Sequence, residues 1–208
     1  MIVIKDDFYP NPDEVRASAL SMFFRPGRRE RKTMFPGRRT KSSFSNENFI
    51  YCRNQWENML NAKMQYFPRG NSNTAFTLSE HDDANWNWVH HDCSGFLENT
   101  SKDMKGQAYA AVVYLSPNAD VQKGTGLFQS IKTGKVHKND ELSKGKGMFK
   151  QMWKEDGEFL MHTYVGNIYN RCVLYPAHYW HAPFCAGYGH DKATGRLVQV
   201  GFFTINKK

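Results

Sequence analysis

The chain has 208 residues, of which 40% are hydrophobic and 23% charged, the proportions of an ordinary globular protein rather than a disordered or fibrous one. Its formal net charge of +8 favours anionic partners or substrates but says nothing about fold. The opening Met1-Ile2-Val3-Ile4-Lys5-Asp6-Asp7 is too short and too soon charged for a signal peptide, and no apolar run approaches the roughly 20 residues that span a bilayer. A cytoplasmic protein without membrane contact is therefore expected. Four scattered cysteines, Cys52, Cys93, Cys172 and Cys185, contain no CxxC pair and suggest neither a zinc ribbon nor a disulfide framework. The length suits a single domain over residues 1–208 with a real core.

Ile2-Val3-Ile4 reads as an opening strand. Asn11-Pro12-Asp13-Glu14 is a helix start: an asparagine cap, proline in the first turn and acids beside the positive end of the helix dipole. Val15, Ala19 and Met22 or Phe23 recur at helical spacing, so this helix is expected to run to about Phe23. From Arg25 to Lys41 the chain is basic, with Arg25, Arg28, Arg29, Arg31, Lys32, Arg38, Arg39 and Lys41 against the single acid Glu30. Pro-Gly-Arg-Arg occurs there twice, which reads as turn chemistry. This stretch is either a loop that meets phosphates or an acidic substrate, or a solvated surface loop.

A second helix is expected over Gln55–Tyr66, broken by Pro68-Arg69-Gly70-Asn71. Strand-like runs follow at Thr74–Leu78, Ala108–Leu115, Arg171–Tyr175 and Leu197–Ile205. Between Ser130 and Gly157 lies a polar, lysine- and glycine-rich insertion, a lid or a surface excursion, with a short helix possible over Gly147–Trp153. Two helices leading into many short strands point to a mainly β protein with N-terminal helices, a barrel or jelly roll. Its parts would be a helical buttress over about residues 1–70, a β core over about 74–206 and the insertion over about 130–157.

The chemistry concentrates in Trp86-Asn87-Trp88-Val89-His90-His91-Asp92 and, far downstream, Tyr175-Pro176-Ala177-His178-Tyr179-Trp180-His181. In a strand, residues two apart share a face, so His90 and Asp92 can aim at one point. A third imidazole would complete a 2-His-1-carboxylate triad, which suits Fe(II) because it fills one face of an octahedron and leaves the other open. His178 and His181 compete for that role. His91 would point the opposite way, unless the register slips by one residue. His81, Asp82 and Asp83 form a second cluster that reads as a solvated loop. Trp86 and Trp88 read as core or pocket wall. Arg171 reads as a strand anchor, and Asn170 is free to face either way.

The order His90-x-Asp92, Tyr114-Leu115-Ser116-Pro117, Gly124-Thr125-Gly126-Leu127-Phe128, His181 and Arg196 resembles the 2-oxoglutarate- and Fe(II)-dependent oxygenases, in particular the prolyl 4-hydroxylase-like branch with its bacterial and phage members. The resemblance covers roughly Trp86 to Ile205. It implies a double-stranded β-helix (jelly-roll, cupin-like), with His90, Asp92 and His181 as iron ligands. The Tyr-Pro-x-x-x-Trp-His run favours His181 over His178 by matching the family's strand end. Arg196 would grip the far carboxylate of 2-oxoglutarate, and Tyr114 would hydrogen-bond the same group. The implied activity is hydroxylation of a substrate with release of succinate and CO2, with ascorbate as a stimulant. The substrate class is left open among peptide, nucleotide or nucleic acid, and small molecule. The alternative is a catalytically inactive β-barrel that binds nucleic acid or another anion through its basic surface. Two departures stand out. The His181–Arg196 interval is longer than in many relatives, with Gly187–Lys192 as the lengthened turn. The Gly-Gly-Glu-Thr of many prolyl hydroxylases appears only as Gly124-Thr125-Gly126.

Overall fold

The computed structural model describes residues 1–25, 37–67, 73–83, 89–92, 107–137 and 159–206. The expected helix over 147–153, the break at 68–71 and both Trp86 and Trp88 lie outside them. In chain order the elements are β1 (Val3–Lys5), α1 (Pro12–Ser21), β2 (Arg38–Arg39), α2 (Asn46–Leu60), β3 (Met64–Tyr66), β4 (Ala75–Ser79), one turn of 3-10 helix (His81–Asp83), β5 (Gln107–Tyr114), β6 (Thr125–Ser130), β7 (Phe159–Val165), β8 (Cys172–Pro176), β9 (Trp180–Pro183) and β10 (Arg196–Ile205). The fold is mostly β with two helices among the described residues, as the strand-like runs predict. Among the described residues no helix is long and apolar enough to cross a membrane.

The strands form two antiparallel sheets, one ordered β1-β8-β5-β10-β4-β2 with β3 also on β10, the other β7-β6-β9. β10 is the centre of the larger sheet. It pairs with β5 from Val198↔Tyr114 to Ile205↔Gln107 and with β4 from Arg196↔Ser79 to Val200↔Ala75. The first 70 residues are more than a helical buttress, because β1, β2 and β3 all join this sheet.

Helix α1 begins as its sequence requires, with Pro12 in the first turn and Asp13 and Glu14 beside it. It stops at Ser21, short of Phe23, because Met22 turns to extended backbone while its N–H bonds back to Ala19 O at 3.1 Å. Helix α2 starts well before the expected Gln55. Ser45 caps it by accepting from the Asn48 N–H at 3.1 Å, and the buried face Asn48, Cys52, Trp56, Leu60 repeats every fourth residue. Asn61 ends the helix in the left-handed conformation, so Met64–Tyr66 becomes strand β3 rather than the helix's last turn.

The two faces of the larger sheet bury different clusters. On the helix side, Trp56 stacks on Phe203 at 5.6 Å between ring centroids and lies so close to Gly201 that a Cβ there would stand 2.4 Å from the indole. Truncating a buried tryptophan of this kind costs about 3–5 kcal/mol. A polar network also pins α2 to β10: Gln199 Nε2 donates to Asn48 Oδ1 at 2.8 Å and to Thr74 O at 3.0 Å, while the Tyr9 hydroxyl donates to Gln199 Oε1. On the opposite face, Ala108, Ala110, Tyr114, Val173, Tyr175, Val198 and Val200 pack with Leu127 of β6 and Val165 of β7. The interior between the sheets therefore holds Tyr114 of the residues singled out as chemical.

Candidate metal centre

His90 does not lie in a strand, contrary to the expectation. It makes one isolated antiparallel bridge with His181, in which each residue's N–H donates to the other's carbonyl, at 2.9 and 2.8 Å. Two residues on, the Asp92 N–H donates to Ala177 O at 2.8 Å. The His-x-Asp segment is thus held by the main chain against the β8–β9 turn and the start of β9. That is enough to bring three ligand atoms, from His90, Asp92 and His181, within 4.8 Å of one another.

The electrostatics of this cluster favour a cation. His181 Nδ1 lies 2.9 Å from Tyr179 O. A carbonyl only accepts, so in the neutral imidazole the proton sits on Nδ1 and Nε2 presents a lone pair. That Nε2 stands 3.2 Å from Asp92 Oδ2, while His90 Nε2 stands 3.9 Å from Asp92 Oδ1. The His181 lone pair facing a carboxylate oxygen at 3.2 Å needs a proton or a metal ion between the two. Burial pushes the Asp92 carboxyl up, but His181, His90 and Arg39 outweigh it and hold the group below its ordinary value. A carbonyl fixing the far nitrogen of a ligand imidazole is the usual device for orienting a metal ligand. Two imidazoles and one carboxylate suit Fe(II).

Arg196 opens β10, and its side chain shares the interior face with Val198. It is only 5% exposed, its buried Nε has no hydrogen-bond partner, and no described carboxylate pairs with it. Its charge is felt by Tyr114, Tyr164 and Tyr175. A buried guanidinium without a counterion is costly unless a ligand supplies one. Tyr114 hydrogen-bonds Thr125 across the two sheets at 2.7 Å, and burial pushes its phenol up to about 12, so it stays neutral and able to donate. Gly124 precedes that threonine where a Cβ would stand 1.9 Å from Val165 O. Close packing of β6 on β7 therefore accounts for the glycine of the Gly-Thr-Gly segment.

Other candidates resolve differently. The His178 ring packs on His137 at 5.7 Å and Tyr179 at 5.2 Å, outside the cluster. The His91 ring packs edge-on to Trp180 at 5.2 Å. His81 and Asp82 are exposed, as a solvated loop would be. Arg171 anchors β8 by pairing with both oxygens of Asp6, at 2.6 and 2.9 Å. Asn170 clamps the Tyr9 main chain through both ends of its amide, which settles which way it faces. The lengthened turn near Gly187–Lys192 packs on the 3-10 segment through the His81 N–H to Gly189 O bond at 2.8 Å.

Two interior residues escaped the sequence reading. Tyr175, whose ring lies 4.6 Å from His181, is kept firmly protonated by burial and by the charge of Asp92. It alternates with Val173 on the inward face of β8, the one signal available for it. Arg39 lies inside the basic stretch, yet β2 pairs it with Thr77, to whose Oγ1 its Nε donates at 2.8 Å. Burial lowers Arg39 to about 10 while Asp92 pulls it back up, so it is charged at neutral pH. Most of the basic stretch lies outside the described residues.

Several solved structures share this fold. The chain resembles a prolyl hydroxylase from Trichoplax adhaerens, solved with a hypoxia inducible factor peptide fragment, at 12% identity and TM-score 0.55 over 98% of this chain and 83% of that one. The non-heme alpha-ketoglutarate-dependent epimerase SnoN from nogalamycin biosynthesis matches at 14% identity and TM-score 0.58, over 98% and 76%. HygX from Streptomyces hygroscopicus, solved with nickel and 2-oxoglutarate, matches at 10% identity and TM-score 0.57, over 98% and 82%. At these identities the likeness is one of fold. No curated protein matches the sequence. One family model spans residues 1–203, and the chain accordingly belongs to the family of unknown function DUF6445.

Proposed function

We propose that residues 1–208 form one Fe(II)- and 2-oxoglutarate-dependent oxygenase domain built on a double-stranded β-helix, with His90, Asp92 and His181 as the metal ligands. The observation that carries this reading is the convergence of three ligand atoms within 4.8 Å, together with Arg196, a buried guanidinium that no described carboxylate pairs with. A fixed guanidinium fork suits bidentate capture of the co-substrate's distal carboxylate, and the neutral Tyr114 phenol would donate to the same group. When bound, iron and 2-oxoglutarate would supply the oxidant that hydroxylates a C–H bond, with release of succinate and CO2. The protein's own part is to orient His181 through Tyr179 O, hold Asp92 ionised, and shield the site between two sheets.

Anaerobic titration of the apo-protein with Fe(II) and 2-oxoglutarate tests the proposal. A weak visible charge-transfer band that is lost in His181→Ala supports it. Absence of the band from wild type at saturating iron overturns it.

A further inference from the structure

Arg196 stands beside a second buried polar group that no described residue satisfies. The β4–β10 ladder pairs it directly with Ser79, and antiparallel partners of this kind share one face of the sheet, their Cβ atoms about 4.5–5.5 Å apart. Arg196 Nε and Ser79 Oγ are both sealed from solvent, and among the described residues neither has a hydrogen-bond partner. Ser79 is fully buried. On its other side stands Gly37, since β2 pairs Arg38 with Leu78 and Arg39 with Thr77. A Cβ at Gly37 would lie 2.6 Å from Ser79 Oγ, so the glycine closes the hydroxyl off from the sheet edge. The neighbour left to it across the ladder is Arg196.

The two groups are complementary. Arg196 Nε only donates, and a serine hydroxyl can accept. Leaving both unpaired forfeits their hydration without return. Joining them needs only a rotation of the arginine, whose Nε lies two methylenes beyond Cβ. The guanidinium is a rigid planar fork, so a carboxylate gripped by its terminal nitrogens also fixes the direction of the Nε–H. Resting on the oxygenase reading above, we propose that Ser79 is the positioning residue of Arg196: its hydroxyl accepts from Nε when the distal carboxylate of 2-oxoglutarate is held, and so sets the plane in which the guanidinium meets that carboxylate. Ser79 does not touch the co-substrate and acts through Arg196. In the ligand-free protein the bond is not made, so the hydroxyl contributes to binding and not to stability.

Calorimetric titration of the Zn(II)-loaded protein with 2-oxoglutarate tests this. Ser79→Ala should raise the 2-oxoglutarate Kd about tenfold, the worth of a hydrogen bond to a charged group, while the Zn(II) Kd stays within about twofold. Made in the Arg196→Gln background, the same substitution should change the already weakened Kd by less than about twofold, because the group through which Ser79 acts is gone. The Tm of the apo-protein should not fall in Ser79→Ala, since no bond made in that state is lost. An unchanged 2-oxoglutarate Kd in Ser79→Ala overturns the proposal. So does a loss of about tenfold that persists in the Arg196→Gln background, which would place Ser79 on the ligand itself. A lowered apo Tm overturns it as well, by making the hydroxyl a support of the β2–β4 pairing. Failure of wild type to bind Zn(II) and 2-oxoglutarate at all would overturn the oxygenase reading, and this proposal with it.

Discussion

His90 and His181 exchange both of their backbone hydrogen bonds, at 2.9 and 2.8 Å, and their rings lie 4.4 Å apart. Such a doubly bonded antiparallel pair sets its Cα atoms about 5.5 Å apart, so the main chain itself juxtaposes two imidazoles from distant parts of the sequence. Asp92 then closes the triangle, 3.2 Å from His181 Nε2. A cluster built on backbone pairing should survive removal of one ligand side chain as a fold, which makes single substitutions informative.

Asp92→Ala should leave the protein folded and weaken Fe(II) or Zn(II) binding by more than about 100-fold, beyond the effect of losing an outer hydrogen bond to a ligand. Metal titration with a competing chelator measures this, and circular dichroism checks the fold. Wild-type metal affinity in the variant would show that the ion, if any, is held elsewhere.

Arg196→Gln separates the co-substrate from the metal. Its guanidinium is buried beside Tyr114, so the variant should raise the 2-oxoglutarate Kd about 30-fold or more, the cost of removing one partner of a buried charged pair, with the metal Kd little changed. Calorimetric titration of the metal-loaded variant gives both constants. Tight 2-oxoglutarate binding by Arg196→Gln would remove Arg196 from the site.

The acid limb of stability has a named contributor in Glu57, 5% exposed at the end of α2. Burial pushes its carboxyl up, but the Lys63 ammonium at 2.7 Å, the Met64 N–H at 2.9 Å and the charge of Arg53 hold it below its ordinary 4.5. A depressed folded value means that the stabilisation is fully present above the unfolded value and is lost as pH falls through the folded one. Glu57→Gln should therefore be less stable than wild type by about 1–3 kcal/mol near neutrality, and the gap should narrow in acid. Urea unfolding at about pH 6 and about pH 3 distinguishes this from a pH-independent loss.

Gly201 is required by contact rather than by backbone conformation. A Cβ there would meet Trp56 at 2.4 Å, and Trp56 is itself wedged between Phe203 and Phe67. Gly201→Ala should cost about 1–3 kcal/mol, read as a lower Tm. The metal and 2-oxoglutarate affinities should be unchanged, because the strain falls on the helix side of the sheet.

Much of this protein is written in local pattern. Strands β4, β5, β8 and β10 follow from their apolar runs, and the start of α1 follows from Asn11-Pro12-Asp13-Glu14, because propensity and periodicity act within one element. His90, Asp92, His181 and Arg196 could be nominated because their residue types and order resemble an iron site. Other features depend on contacts between elements. The α2 helix begins at a Ser45 cap in a polar stretch where the buried face repeats but the residues between are hydrophilic. His90 and Asp92 are aimed by bonds to His181 and Ala177 rather than by a strand. Arg39 is one of eight basic residues between Arg25 and Lys41, and nothing local distinguishes it. Its selection comes from the pairing of β2 with β4, because register decides which face of a strand turns inward, and register is a property of two strands rather than one.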